Sequence, residues 1–191
     1  MKKIKVTFNS PVILSFILIC LIVTIIGIIT DGEITQILFV TYHSSLANPL
    51  TYIRFVTHVF GHNGWSHFLS NATYILLLGP MLEEKYGSRA LIVLMLTTAI
   101  VTGIINYVFF WNVGLCGASG IVFAMIVLAS FTGFNDGEIP LTFILVAVVY
   151  IGQQIYEGVT VQDDISNMAH IVGGIIGGLA GYKLNKRSRA K

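Results

Sequence analysis

Long apolar runs alternate with short polar segments along this chain of 191 residues. Each run is close to the ~20 residues that an α-helix needs to cross a bilayer. The pattern therefore predicts transmembrane helices, and the five clear runs cover residues 11–30, 90–110, 115–133, 139–156 and 165–182. We expect the first run to be retained, because it is longer than the apolar part of a signal peptide and no small-residue cleavage site follows it.

A sixth candidate span covers residues 66–82, where polar residues interrupt the apolar pattern. It is about long enough to cross, but it carries His67 and Asn71 in its first half, so hydropathy alone scores it low. These two residues are four apart and share one face of the predicted helix. Polar groups at this depth indicate a specific role.

In a bundle of six spans, all but one of the Lys and Arg residues fall on the same side of the membrane. Cytoplasmic flanks collect Lys and Arg, and only Arg54 falls on the outer side, where it would anchor the first loop or meet lipid headgroups. The other ten basic residues share the inner side: Lys2, Lys3, Lys5, Lys85, Arg89, Lys183, Lys186, Arg187, Arg189 and Lys191. We therefore expect a multi-pass plasma membrane protein with both termini in the cytoplasm.

Composition agrees with a membrane protein, since the mean hydropathy is +0.83 and only 10% of residues are charged. The net charge of +2 is small and the basic residues cluster at the chain ends, which argues against a nucleic acid partner. Cys20 and Cys116 form neither a disulfide framework nor a metal-ligand spacing, and no cofactor is expected. The fold class expected is all-α, one six-transmembrane-helix domain over residues 1–191 with a structured outer loop at 31–65.

Polar residues of three predicted spans meet in one layer of the membrane. The second, fourth and sixth spans all run from outside to inside, so their first turns lie at the same depth. His67 and Asn71 open the second span, Gly117-Ala118-Ser119-Gly120 opens the fourth, and His170 lies about one turn into the sixth. The sequence therefore predicts a candidate site near the outer face.

A stripe of small residues on the last span indicates close helix packing. Gly173, Gly177 and Gly181 continue the face that begins with His170, and the fourth span offers Gly120 and Ala124 at matching spacing. If these faces pack, Ser119 and His170 lie close together, in the arrangement of a nucleophile and its base.

The chemistry of such a pair is acyl transfer. A neutral imidazole can take the proton of a serine hydroxyl, while Asn71, His67 and the Ser119 backbone N–H could stabilise an oxyanion. Asp163 and Asp164 lie about two helical turns before His170. We therefore expect a dyad instead of a triad.

These motifs resemble those of the rhomboid intramembrane proteases over roughly residues 50 to 182. Four motifs carry the resemblance in chain order: His67-Phe-Leu-Ser-Asn71 (H-x-x-x-N), Glu83-Glu84-Lys85-Tyr86-Gly87 (E-x-x-x-G), Gly117-Ala118-Ser119-Gly120 (G-x-S-G), and Ala169-His170 followed by Gly173 and Gly177 (A-H-x-x-G-x-x-x-G). The family's Trp-Arg pair in the first loop reads Ile53-Arg54 here, which leaves the anchoring of that loop open.

The resemblance implies a Ser119 and His170 dyad, with Asn71 and His67 at the oxyanion and Phe123 stacked on His170. It also implies that the substrates are single-pass transmembrane proteins in the lipid bilayer, cut near the outer face. Glu83 is interpreted as structural.

Other interpretations compete with this hypothesis. His58, His62 and His67 are spaced by four and five residues, as in some metal sites, although no H-E-x-x-H occurs and no metal is expected. A protease-like protein that binds membrane helices without cutting them would carry the same fold, and a transporter would need inverted repeats that we do not find. A further alternative is that glycine and serine in these helices only allow close helix packing and have no catalytic role.

Overall fold

A computed structural model of the chain describes residues 7–133, 140–142, 144–146, 148–149, 152 and 164–189. The described part is all-α, and no β-strand occurs in it beyond one isolated bridge between Thr41 and Leu115. Seven helices have defined bounds: α1 Pro11–Ile29, α2 Glu33–Leu38, α3 Pro49–Thr57, α4 Trp65–Tyr86, α5 Ser88–Phe109, α6 Ser119–Ser130 and α7 Asp164–Arg189. Short 3₁₀ turns at His58–Phe60 and Phe131–Gly133 follow α3 and α6.

Four of the predicted spans overlap α1, α4, α5 and α7, although α4 continues through Pro80 to Tyr86 and α7 continues to Arg189. The fourth predicted span, 115–133, overlaps α6, which begins at Ser119. Leu115 pairs with Thr41. Gly117 adopts a positive φ of 118°, which is outside the helical region, so the helix starts only after it. The predicted span 139–156 lies largely outside the described residues.

Two of the described helices, α1 and α5, are long and apolar enough to cross a membrane by length and composition, and residues 119–133 form a shorter apolar helix. The outward faces of α1, α4 and α5 carry large apolar side chains, as expected where the surroundings are apolar. Examples are Leu18, Ile22 and Ile29 on α1, Leu77 on α4, and Val93 and Val108 on α5.

The core lies where α1, α4, α5 and α6 meet, around Ile13, Ile75, Leu91, Ile121 and Met125, which are fully buried. Helix α7 packs against α6 and also contacts α5, and α6 and α7 make the most extensive contact of any pair of described helices. This arrangement places α6, which carries the candidate serine, at the centre of the bundle.

The loop between α1 and α4 is held by hydrogen bonds to backbone carbonyls. The Arg54 side chain is buried, its Nε donates to the Ile37 carbonyl at 2.8 Å, and its guanidinium lies 4.4 Å from the centre of the Tyr42 ring. His58 is also buried, with Nε2 3.0 Å from the Ala99 carbonyl at the middle of α5. Of the two roles left open for Arg54, the structure shows loop anchoring, with Ile53 half exposed beside it.

Glu83 ties three helices together at the opposite end of the bundle. Its buried carboxylate accepts hydrogen bonds from the backbone N–H groups of Val12 and Ile13, both at 3.1 Å, and from the Ser88 hydroxyl at 2.7 Å. The first N–H groups of a helix have no partner within the helix, and the negative charge suits the positive end of the helix dipole. Glu83 on α4 therefore caps α1 and fixes the start of α5.

Replacing Glu83 with alanine is expected to destabilise the fold, because it leaves two backbone donors of α1 without their acceptor. Lost hydrogen bonds to a buried charge cost about 1.5–3 kcal/mol, which corresponds to a lower midpoint of thermal unfolding by at least ~3 °C for a chain of this size. Thermal unfolding in detergent measures the effect. Glu84→Ala, at the exposed neighbour, is the matched control, and an equal shift in both variants would contradict the capping role.

Candidate active site

Ser119 is the first residue of α6, and a tight connection positions it. The N–H of Gly117 donates to the His58 carbonyl at 2.9 Å, while the N–H and the carbonyl of Leu115 pair with Thr41. Ala118 is fully buried and Ser119 is partly exposed. The connection is thus fixed on one side by the anchored first loop, and the serine emerges at the N-terminus of a helix.

Helices α6 and α7 cross with their backbones in contact. A Cβ atom built on Gly173 would overlap the Gly120 carbonyl, and one built on Gly177 would overlap the Ala124 carbonyl. Further along, a Cβ on Gly181 would lie 2.5 Å from the Phe131 ring. The faces that the sequence predicts to pack are therefore the ones that do so, because only hydrogen at these positions leaves room for the neighbouring helix.

This crossing brings together the backbone segments that carry the two predicted catalytic residues. Ser119 directly precedes Gly120, and His170 lies one turn before Gly173 on the same face of α7. The Ala169 carbonyl lies 3.2 Å from the position that a Cβ on Gly120 would take. The two side chains thus start from backbone segments in contact, although His170 lies nearly two turns into α7 and not one.

The Phe123 ring packs against the His170 imidazole, as the sequence hypothesis placed it. The ring centres are 4.0 Å apart and the planes are inclined by 33°. The His170 side chain is almost fully buried. Since Phe123 lies four residues after Ser119 on α6, it belongs to the same helix face and restricts the orientation of the imidazole.

His67 and Asn71 from α4 face the connection that precedes the serine. A Cβ on Gly117 would lie 2.7 Å from His67 Nε2 and 3.8 Å from Asn71 Nδ2, so glycine is required there for space as well as for its positive φ. Among the residues that the structure describes, the buried Nδ2 of Asn71 has no hydrogen-bond partner. Such a donor is costly to leave unpaired, which is typical of groups that await a ligand or substrate.

Comparison with known proteins identifies the family of the chain. The family model described as the Rhomboid domain matches residues 49–187, a range that contains every candidate site residue. The chain belongs to the Rhomboid family. Similar proteins include the Rhomboid protease GlpG of Yersinia pestis (strain Pestoides F) and of Yersinia pseudotuberculosis serotype O:3 (strain YPIII), each 26% identical over 177 residues.

A third relative, the Rhomboid protease GlpG of Yersinia enterocolitica serotype O:8 / biotype 1B (strain NCTC 13174 / 8081), is 26% identical over 178 residues. These matches cover 91% of this rhomboid chain and 62% of each relative. The chain thus spans about three-fifths of the length of the curated relatives it matches. The Rhomboid family is a family of membrane proteins, which agrees with the apolar outward surfaces of α1 and α5.

The three outer histidines of this rhomboid do not converge as a metal site would require. His58 directs Nε2 at the Ala99 carbonyl, and His62 has Nδ1 3.1 Å from the Phe60 carbonyl. His67 instead lies against Gly117, although its ring centre is 5.0 Å from that of His62. Within the described ranges, no group of three His, Cys, Asp or Glu side chains is placed to hold a metal ion. The metal hypothesis has no support from these residues.

Sequence reasoning missed a polar stripe on α5 that supports the site. The methyl groups of Thr98 and Thr102 would lie 3.5 and 3.6 Å from a Cβ built on Gly120, and Thr102 Oγ1 lies 3.4 Å from His58 Nε2. One turn further, the Asn106 amide donates to the carbonyls of Thr41 and Val113. The signal was available, because these three residues recur every four positions in an otherwise apolar span.

Gly173→Ala is expected to destabilise this rhomboid, because the added methyl group meets a backbone carbonyl of α6 that cannot move independently. Overpacking of this kind costs about 1–3 kcal/mol, seen as a lower unfolding temperature in detergent. The matched control is Gly178→Ala, where the nearest atom would be a Val127 methyl at 3.8 Å. That change should be neutral or stabilise by up to ~1 kcal/mol through helix propensity. Equal changes of unfolding temperature in the two variants would contradict the backbone contact at Gly173.

Acid is expected to destabilise the loop between α1 and α4. Burial lowers the pKa of His58 from 6.5 to about 4, and burial together with the nearby His67 lowers the pKa of His62 to about 4. The folded state therefore binds fewer protons than the unfolded chain, so this contribution to stability is complete above pH 6.5 and is lost as the pH falls toward 4.

The unfolding temperature measured between pH 7.5 and 4.5 tests this. The unfolding temperature should decrease as the pH is lowered from 6.5. His62→Gln, whose amide does not titrate, should show a weaker dependence of unfolding temperature on pH. If the plots of unfolding temperature against pH are parallel for the parent and the variant, His62 does not contribute to the pH dependence of stability.

Proposed function

We propose that this rhomboid is an intramembrane serine endopeptidase that cuts transmembrane segments of membrane proteins with a Ser119 and His170 dyad. The observation that carries the proposal is the crossing of α6 and α7. The two backbones are in contact at Gly120, which follows Ser119, and at Gly173, one turn after His170, and this contact supports a pairing of the two side chains. Membership of the Rhomboid family, whose GlpG relatives are named proteases, supports the same chemistry.

In this mechanism, His170 takes the proton of the Ser119 hydroxyl as that oxygen attacks the scissile carbonyl carbon. The tetrahedral intermediate then collapses, and His170 gives its proton to the leaving amine. A water molecule, deprotonated by His170, then attacks the acyl-enzyme ester. As this second tetrahedral intermediate collapses, His170 returns the proton to the Ser119 oxygen, and the acid product and the free Ser119 hydroxyl are released. The ring of Phe123 acts as a positioning residue, because it limits the rotation of the imidazole.

The oxyanion would be stabilised from α4 and α6 together. Asn71 supplies a buried amide donor without a partner among the described residues, and His67 lies against the same glycine. The backbone N–H of Ser119 is at the first turn of α6, where no carbonyl within the helix accepts it and the helix dipole favours negative charge. In this proposal, donors from two side chains of α4 and from the first turn of α6 act together on the oxyanion.

A carboxylate partner for His170 is not part of the proposal. The side chains of Asp31, Glu33, Glu83 and Glu84 belong to other regions of the described chain, and Glu83 is engaged at the far end of α4. Asp164 begins α7, six residues before His170. Packing against Phe123 contributes to the orientation of the imidazole in the proposed dyad.

The proposed topology has six transmembrane helices, comprising α1, α4, α5, α6, α7 and a span at 139–156. Both termini lie in the cytoplasm of a plasma membrane protein. Helices α4, α6 and α7 then begin near the outer face, so the site is reached from that side. Single-pass transmembrane proteins would enter laterally from the lipid bilayer, and neither a cofactor nor a nucleic acid takes part.

Ser119→Ala and His170→Ala are each expected to reduce cleavage of a model single-span substrate in liposomes by ~10³-fold or more, because each removes one member of the dyad. Ser130→Ala on α6, whose hydroxyl only bonds the Ile126 carbonyl, and His43→Ala in the first loop are the matched controls. A chelator should have no effect. A parent protein that binds such substrates but cuts none would instead indicate a binding protein with a rhomboid fold.

Asn71→Ala is expected to lower kcat by about 10²–10³-fold with little change in KM, because an oxyanion donor acts mainly in the transition state. His67→Ala should reduce kcat in the same way. Thr73→Ala is the control on α4, since its exposed hydroxyl bonds only the Leu69 carbonyl. A raised KM with unchanged kcat in the Asn71 variant would contradict the oxyanion role and indicate substrate binding.

A further inference from the structure

The imidazole of His67 accepts a hydrogen bond from the backbone just before its own helix. His67 is the third residue of α4, and its Nδ1 lies 3.4 Å from the backbone nitrogen of Asn63, which donates to it. Gly64, the residue directly before α4, has no side chain that could cap the helix. An acceptor at the third position that reaches back to a preceding N–H is typical of a helix N-terminus, where Glu or Gln usually supplies it. Here an imidazole takes that place.

This hydrogen bond determines which ring nitrogen of His67 carries the proton. A backbone N–H can only donate, so Nδ1 must present its lone pair to Asn63. In a neutral imidazole the proton then lies on Nε2. A doubly protonated ring would set a second N–H against the N–H of Asn63 and would lose the bond. The contact therefore favours a neutral His67 whose Nε2 is a donor.

The protonated nitrogen of His67 lies on the side of the candidate site. A Cβ atom built on Gly117 would lie 2.7 Å from both Cε1 and Nε2 of the ring, so this edge faces the connection that precedes Ser119. The ring of His62 packs against that of His67, with centres 5.0 Å apart and planes inclined by 71°, and limits its rotation. The ring is thus held with Nδ1 toward Asn63 and Nε2 toward Gly117.

Asn63 also contacts the connection that the ring faces. Its side-chain Oδ1 lies 3.5 Å from Sγ of Cys116, whose thiol is a weak donor. Cys116 directly precedes Gly117. The backbone of Asn63 therefore orients the ring of His67, while its side chain holds the segment against which that ring lies. One residue links two parts of the candidate site that are far apart in the sequence.

We propose that Asn63 is a positioning residue, whose backbone N–H holds His67 in the tautomer with the proton on Nε2 and whose side chain aligns the connection before Ser119 with that donor. The two histidines then have separate tasks. His67 donates a hydrogen bond to the oxyanion and takes no proton, whereas His170 takes the proton of the Ser119 hydroxyl. The inference rests on the proposed function for the oxyanion, but the tautomer exists without cleavage and can be measured without it.

Solid-state NMR of the ¹⁵N-histidine-labelled protein in liposomes tests the tautomer at neutral pH. The difference between the spectra of the parent and of His67→Gln identifies the two ring signals of His67. We expect a protonated Nε2 and an unprotonated Nδ1. Asn63→Pro, which lacks the backbone N–H, should give a mixture of tautomers, while Asn63→Ala, which keeps the N–H, should retain the single one. A proton on Nδ1 in the parent, or an unchanged tautomer in a folded Asn63→Pro, would overturn the proposal.

Cleavage of a model single-span substrate separates hydrogen-bond donation by His67 from helix capping, and it does not depend on the folding of Asn63→Pro. His67→Gln and His67→Glu can both accept the N–H of Asn63. Only the Gln amide also donates, with its oxygen and nitrogen separated by one carbon as the two ring nitrogens are. We expect kcat of His67→Gln within about tenfold of the parent and kcat of His67→Glu at least ~10²-fold below it, with similar unfolding temperatures.

Ser66→Gln and Ser66→Glu, at the exposed neighbour, control for the added charge and should cut the substrate equally well. Equal kcat in His67→Gln and His67→Glu would overturn the donor role and leave His67 as a helix cap. A parent protein that cuts no substrate while its spectrum shows the expected tautomer would instead contradict the proposed function. The two failures are therefore distinguishable.

Discussion

The approach of α6 and α7 to backbone contact is the constraint on which the rest of the structure depends. Gly173 and Gly177 have no space for a Cβ atom, because the carbonyls of Gly120 and Ala124 occupy that position. Membrane helices gain little from burying apolar surface against one another, so such close packing of small residues supplies much of the association. The same contact determines where the side chains at Ser119 and His170 begin, so fold and candidate chemistry share one origin.

The other half of the candidate site depends on the first loop. Anchored by Arg54 and His58, this loop presents a backbone carbonyl that holds the N–H of Gly117. Gly117 in turn lies against His67 and Asn71 of α4, where a side chain would not fit. Loop, connection and helix therefore form one continuous set of contacts. A change in the loop is expected to reach the serine without touching it, because each part of that set has little freedom to adjust.

Periodicity alone was enough to predict the pairing of α6 with α7, since the small residues of both helices recur at helical spacing and can serve only close packing. It was also enough to place Phe123 on the face of Ser119. The bridge between Leu115 and Thr41 could not be predicted, because it joins segments far apart in the chain. The cap that Glu83 gives to α1 was inaccessible for the same reason: its partners are backbone groups about 70 residues away, which carry no sequence signal.

The most direct test of the central claim, that Ser119 is a nucleophile activated by His170, is covalent labelling with a fluorophosphonate followed by mass spectrometry of the labelled peptides. A serine hydroxyl is a weak nucleophile without a base, so the account predicts one adduct, on Ser119, in the membrane-embedded protein. His170→Ala should abolish the adduct while the protein remains folded. An adduct on another residue, or equal labelling of Ser119 with and without His170, would contradict the dyad.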